Sequence, residues 1–225
     1  MNGGNMYISK IVLNENSLFK EVFASGYSLH QAVWDLFADS PDRDRDFLYR
    51  LDVVGKMPLV YAVSERKPQD SKGIWSIEIK EYSPRIKAGI RLGFTVRVNP
   101  IRKKNGKRHD VVMDAKYKMR AKNSGQIERK LQQEIITEAC SKWFEERAVN
   151  NGFKLIRNDI PIFRVDGYQQ IQFCKNRGGE TVKYSTVDIT GMLEVLEESS
   201  FTDVLFNGIG PAKGFGCGLI LVRKL

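Results

Sequence analysis

Two stretches of this chain repeat one order of patterns, and that order leaves few folds open. An Ile-, Val- and Tyr-rich run at 7–13 reads as a strand, because β-branched and aromatic side chains suit a pleated, half-buried surface. Leu29, Ala32, Val33, Leu36 and Phe37 then recur at i, i+3, i+4, i+7 and i+8, one apolar face of a helix. Ser28 and Gln31 form a Ser-x-x-Gln capping box, which predicts a helix start at Ser28, and the run Asp39-Ser40-Pro41-Asp42 stops it. Runs at 47–53, 59–64, 75–81 and 94–98 read as further strands, with a Pro-containing irregular piece at 83–88. Beyond Pro100, Ile127, Leu131, Ile135, Ala139 and Trp143 return at near-helical spacing, and Asn150-Asn151-Gly152 ends that helix. Strand-like runs follow at 153–156, 160–165, 169–174 and 183–189, with a hairpin tip at Arg177-Gly178-Gly179. Helical patterning at 192–206 precedes a glycine-rich turn and a last strand at 219–222.

Each half therefore runs strand, helix, two or three strands, helix or irregular link, strand. That is the split βαβ order of ferredoxin-like (RRM-like) folds. The expected class is α+β: two tandem βαββαβ domains, at 6–100 and 101–225. A chain of 225 residues accommodates two domains of about 100 each. The Gly- and Asn-rich residues 1–5 are set aside as an extension or an early start.

Charge narrows the partner. The net charge is +9, and between residues 101 and 130 eleven Lys and Arg face three Asp and Glu. Arg102, Lys103, Lys104, Lys107 and Arg108 surround the turn-like pair Asn105-Gly106, which suits a mobile cationic loop tracking phosphates or a merely solvated one. His109 belongs to the same cationic surface. Cys140, Cys174 and Cys217 are far apart, so a tetrahedral structural metal site is not expected, and neither is any cofactor. Asp42, Asp44 and Asp46 alternate with Arg43 and Arg45, as in an ion-paired turn, and no acidic cluster offers a two-metal centre. An odd cysteine count without a signal peptide fits a reducing cytoplasm, and no apolar run approaches the roughly 20 residues that span a bilayer.

Two places could carry chemistry. His30 follows the capping box at the second position of the first helix and lies off its apolar stripe, so it is expected to project toward solvent or a ligand. A helix N-terminus offers free amides and a positive dipole end, a natural phosphate site. That dipole disfavours the imidazolium whereas a phosphate favours it, which holds the ring near neutrality for proton transfer or leaves it a surface histidine beside a cap. Tyr27 either packs as a hydrophobic staple near Ala32 or turns its phenol to the same phosphate or base. The second place is the run from Gly208 to Gly218. Gly208, Gly210 and Gly214 permit close backbone approach, and Lys213 adds a point charge for phosphate. No Gly-Lys-Ser/Thr follows, so it is not a Walker loop, and its context reverses that of a dinucleotide fingerprint. A tight turn at a domain edge is the blander alternative.

Taken together, Tyr27-Ser-Leu-His30-Gln-Ala-Val-Trp-Asp-Leu-Phe37, Arg45-Asp-Phe-Leu-Tyr-Arg50, Arg97-Val-Asn-Pro100 and Gly208-Ile-Gly-Pro-Ala-Lys-Gly-Phe-Gly-Cys-Gly-Leu219 resemble the CasE (Cse3) family of CRISPR endoribonucleases, part of the RAMP superfamily. The motifs reach from near one end of the chain to the other. The resemblance implies two ferredoxin-like domains and the crRNA-processing subunit of a Cascade-type complex, which binds a CRISPR repeat hairpin, cuts at its 3′ base and stays on the product. The family's catalytic His falls on His30, the Tyr near it in some members on Tyr27, and its RNA-contacting loop on the glycine run with Lys213. The implied reaction is attack of a ribose 2′-OH on the adjacent phosphorus without a metal, giving a 2′,3′-cyclic phosphate and a 5′-OH. In it His30 is expected as the acid to the leaving oxygen, with the base role open. Arg177 and Lys183, beside the expected hairpin tip, are candidates for groove contacts. The rival reading is a non-catalytic RNA-binding subunit of a ribonucleoprotein, in which His30 only touches phosphate.

Overall fold

The computed structural model describes residues 5–14, 26–40, 44–55, 57–122, 129–156, 163–174 and 181–225. The first unit contains β1 (Tyr7–Leu13), α1 (Gly26–Asp35), β2 (Phe47–Val54), β3 (Met57–Ser64) and β4 (Trp75–Glu81). Its strands lie in the order β2-β3-β1-β4, with every neighbouring pair antiparallel. That is the ferredoxin-like arrangement. Between β3 and β4, residues 65–74 form turns and bends where a second helix would stand. Because side chains alternate along a strand, Ile11, Leu13, Phe47, Tyr49, Val60 and Ala62 face one way and pack under Leu29 and Val33 of α1 and under Leu36 and Phe37 just beyond its end.

The second unit comprises β5 (Arg91–Val98), a hairpin of β6 (Ile101–Lys104) and β7 (Lys107–Asp110), α2 (Val111–Lys122), α3 (Arg129–Asn150), β8 (Phe153–Leu155), β9 (Arg164–Cys174), β10 (Thr181–Val195), α4 (Glu198–Asn207) and β11 (Ile220–Lys224). Its sheet runs β11-β5-β10, and β10 then pairs with β9 along its first part and with β8 at its end. Here the βαββαβ order is complete. Its core buries Phe94, Val96, Trp143, Phe144, Ile189 and Phe201 among others.

Sheet membership does not change at residue 100. β5 precedes Pro100 yet pairs with β10 and β11, so the first strand of the second sheet lies in the stretch assigned to the first domain. The irregular link at 82–90 separates the sheets. An isolated strand with apolar Leu92, Phe94, Val96 and Val98 gives no local sign of which sheet it will complete.

Four further expectations change. The first helix begins at Gly26, so Ser28 lies inside it and does not cap it; the capping box has the right residues but not the non-helical backbone an N-cap needs. The segment at 101–110 is a β-hairpin turned by Asn105 (φ 51°) and Gly106 (φ 75°), a left-handed pair that hairpin twist favours, and not a loose loop. The patterning at 192–206 divides: β10 continues to Val195, and α4 starts at Glu198, where the Glu197 carboxylate accepts from the amides of Ser199 and Ser200. Helix α2 is an addition, because its polar, basic sequence carries little of the apolar periodicity that marks a helix. The hairpin tip at Arg177 lies outside the described residues, although β9 and β10 pair antiparallel on either side of it.

Candidate active site

His30 stands one turn into α1, half-buried, in a cage assembled from both units. Its Nδ1 is 2.5 Å from the hydroxyl of Tyr49 on β2, and its Nε2 is 3.5 Å from the hydroxyl of Tyr184 on β10. The Phe215 ring meets it edge-on with centroids 5.8 Å apart, and Phe173 of β9 lies at 6.2 Å. Phe215 also stacks on Tyr184 at 5.1 Å. Of the two expected directions, solvent or a ligand, the half-buried ring does not take the open-solvent one. Lying at the edge of the stripe that packs on its own sheet, the imidazole reaches Tyr49 of that sheet on one side and the second unit on the other. Burial lowers its pKa below the ordinary imidazole value, so the ring rests neutral.

The glycine-rich run forms the third wall. Gly208 (φ 71°) and Gly218 (φ 92°) close its neck, where the Ile209 amide donates to the Gly218 carbonyl at 2.9 Å and a Cβ at either glycine would lie within 3 Å of the opposite backbone. Inside the neck, a single 3-10 turn at Lys213–Phe215 delivers the Gly214 carbonyl to two donors, Tyr49 Oη at 3.0 Å and Trp34 Nε1 at 3.2 Å. Trp34 sits four residues after His30 on the same helix, so one face of α1 grips the loop twice. Gly210 packs against Trp143. The amides of Phe215, Gly216, Cys217 and Gly218 are used within the loop or on Arg97. Lys213 is half-buried, and burial, with Arg45 beside it, lowers its pKa.

Next to this cage a cleft of about 550 Å³ opens between the β6–β7 hairpin, the β9–β10 ribbon and the loop. Tyr184 and Phe215 line both spaces, and Arg108 and Lys183 give the cleft its positive rim. Asp110, its one carboxylate among the described residues, is committed to structure. It accepts from the amides of Val112 and Met113 at the start of α2, from Tyr168 Oη at 3.0 Å and from Ser185 Oγ. Lys103, Lys104 and Lys107 are exposed along the hairpin, whereas Arg102 is forked onto Glu146 of α3 at 2.8 and 2.9 Å. The Tyr27 side chain and Arg177 lie outside the described residues. Among the described residues, no three His, Cys, Asp or Glu side chains converge as metal ligands, and no helix is long and apolar enough to cross a membrane.

A family model described as CRISPR associated protein matches residues 6–224. The chain belongs to this CRISPR-associated family. It is 27% identical over 222 residues to the CRISPR system Cascade subunit CasE of Escherichia coli (strain K12), covering 98% of this chain and 100% of that protein. To the CRISPR-associated endoribonuclease Cse3 of Thermus thermophilus it is 25% identical over 235 residues, covering 96% of this chain and 99% of that protein. Its fold matches a solved structure of the CRISPR endoribonuclease Cse3 bound to 19-nucleotide RNA with a TM-score of 0.74, at 23% identity over 98% of this chain and 100% of that one.

Within this CRISPR-associated chain, the sequence motifs converge: the helix with His30, the β2 segment from Arg45 to Arg50 and the glycine run meet at one point. What residue-level reasoning missed is the cage itself, Tyr49, Trp34, Phe173, Tyr184 and Phe215. Tyr49 and Phe215 lie inside two of the motifs, but a strand tyrosine and a loop phenylalanine look like core until the fold brings them to His30.

Proposed function

We propose that the chain is a metal-independent endoribonuclease that binds a CRISPR repeat hairpin, cuts pre-crRNA and stays on the crRNA. One observation carries this reading: a histidine caged between the two units, with one ring nitrogen held by Tyr49 and the other facing Tyr184, whose side chain also lines a cleft rimmed by Arg108 and Lys183. The near-complete coverage of both curated relatives supports it, one being named an endoribonuclease and the other a Cascade subunit. By that likeness the chain serves in a Cascade-type complex in the cytoplasm.

In the proposed reaction the 2′-OH loses its proton to His30 Nε2 as its oxygen bonds to phosphorus. The P–O5′ bond breaks, and the leaving oxygen takes a proton from solvent. The products are a 2′,3′-cyclic phosphate and a 5′-OH. Burial lowers the His30 pKa, which favours the base role that the sequence reading left open beside the acid role. Lys213 steadies the phosphate charge. Acid–base help of this kind is worth about 10²–10⁴-fold. Gly208, Gly210 and Gly214 shape the loop wall of this site, while Lys103, Lys104, Lys107, Arg108 and Lys183 hold the duplex by its backbone, as double-stranded RNA requires.

The test incubates the protein with its host's repeat hairpin in EDTA, beside His30→Ala. A single cut leaving a 5′-OH, lost in a variant that still binds in a gel-shift assay, is the expected result. Tight binding without any cut makes the chain an RNA-holding subunit, and equal cutting by the variant places the active site elsewhere.

A further inference from the structure

We infer that Tyr49, anchored on the Gly214 carbonyl, is a positioning residue that fixes His30 as its Nδ1–H tautomer and so leaves the Nε2 lone pair for the reaction. The inference rests on the catalytic reading of His30 for its consequence, but its geometry stands alone. A phenol has one proton to give. The Tyr49 oxygen has two partners, His30 Nδ1 at 2.5 Å and the Gly214 carbonyl at 3.0 Å. A carbonyl can only accept, so the phenol proton belongs on the Gly214 side. Tyr49 then has only lone pairs left for the imidazole, and Nδ1 must carry the hydrogen.

The opposite tautomer fails on the same distances. If Tyr49 donated to a bare Nδ1, its oxygen would face the Gly214 oxygen at 3.0 Å with no proton between them. The Trp34 indole donates to that carbonyl in either case and does not relieve the repulsion. In the assigned tautomer every group is satisfied: Nδ1–H to Tyr49, Tyr49 to Gly214, Trp34 to Gly214, and Tyr184 facing the unprotonated Nε2. An imidazole in water favours no such arrangement by itself. The protein sets it through a hydrogen bond to the other nitrogen.

The surroundings keep the relay neutral. From β2 Tyr49 faces the ring and from β10 Tyr184, while β9 and the loop contribute Phe173 and Phe215. Arg45 acts on Tyr49, and Cys217 and Arg97 act on Tyr184. Burial pushes Tyr184 up to about 12 and raises Tyr49 as well, so both phenols keep their protons. The loop thereby couples to catalysis, because displacing Gly214 releases the proton that Tyr49 points at it.

The chain has only two histidines, so nitrogen-15 histidine NMR reads the tautomer directly, with His109→Gln assigning the pair. At pH 8 the His30 ring is expected to show a protonated Nδ1 and a bare Nε2. Tyr49→Phe is expected to move it toward Nε2–H and to slow single-turnover cleavage about 10- to 100-fold with hairpin affinity unchanged, the range for an orienting partner. Tyr184→Phe should leave the tautomer in place. An Nε2–H ring in the parent protein, or an Nδ1–H ring that survives Tyr49→Phe, overturns the assignment. If Tyr49→Phe does not fold, the parent resonance decides alone. Should His30→Ala still cut RNA, the catalytic reading fails while the tautomer measurement keeps its answer.

Discussion

At His30 one quantity governs behaviour: the imidazole pKa, lowered by burial. A base works only when unprotonated, so single-turnover cleavage is expected to rise with pH, with its midpoint below the ordinary imidazole value near 6.5, and then to level off. An acid would give the reverse, with activity falling as pH rises through the same range. The stability sign follows as well. The unfolded ring takes up a proton near pH 6.5 while the folded ring resists, so acidification below about 6.5 costs stability until the folded ring also protonates. Thermal melts from about pH 7.5 to 5, which bracket that window, should show Tm falling less in His30→Gln than in the parent. His30 itself was legible in the sequence, through its place on a helix beside an apolar stripe. Its partners were not. Tyr49 stands 19 positions away and Tyr184 stands 154, and a local pattern holds no trace of either.

In the proposed reaction two elements face the RNA, and each makes its own prediction. The β6–β7 hairpin is pinned at one end, where Arg102 grips Glu146, and presents Lys103, Lys104 and Lys107 to solvent. Replacing those three lysines with alanine should weaken hairpin binding and flatten its dependence on log salt by roughly one unit for each phosphate no longer neutralised. Cleavage at saturating protein should hardly change. The glycine loop behaves differently, since its neck is an internal constraint. Gly218→Ala forces a left-handed backbone onto alanine and sets a Cβ 2.8 Å from the Ile209 carbonyl. A cost of about 1–3 kcal/mol follows, read as a lower Tm, with cleavage falling more than affinity because Gly214 and Phe215 shift. Unchanged Tm with weakened binding would instead mean that Gly218 serves the ligand. The glycine density was conspicuous in sequence. That much of it serves to bring Gly214 under Tyr49 required the fold.

Across the whole molecule, the two units meet through a small apolar cluster around Leu48, Val63 and Leu219 and through an ionic seam beside it. Arg97 of β5 forks onto Asp188 of β10 at 3.0 and 2.8 Å and reaches Asp52 of β2 at 3.2 Å. Arg50 of β2 bonds Asp52 at 2.7 Å and lies 3.3 Å from Asp188. Burial works against the Arg97 cation, but Asp188 and Asp52 outweigh it and raise its pKa. Asp188→Ala leaves Arg50 and Arg97 to share Asp52 as their carboxylate at the seam. A fully buried pair broken this way costs about 3–5 kcal/mol; with the Asp188 side chain 29% exposed, about 2 kcal/mol is expected, a Tm drop of roughly 4–8 °C. Because the seam adjoins the cage around His30, cleavage by the proposed mechanism should fall beyond what the lost stability explains. The sequence by itself determined most of the strands, the helices around His30 and Trp143, the ferredoxin-like order and the excess of cations at 101–130, because periodicity, turn chemistry and charge are local properties, and it marked His30 and the glycine run as candidates. Only the tertiary structure decided that β5 joins the second sheet, that His30 is caged and neutral, and that Tyr49, Gly214 and Tyr184 flank its two nitrogens. Strand pairing, desolvation and hydrogen-bond geometry depend on which distant residues meet, and that meeting is settled only when both cores close.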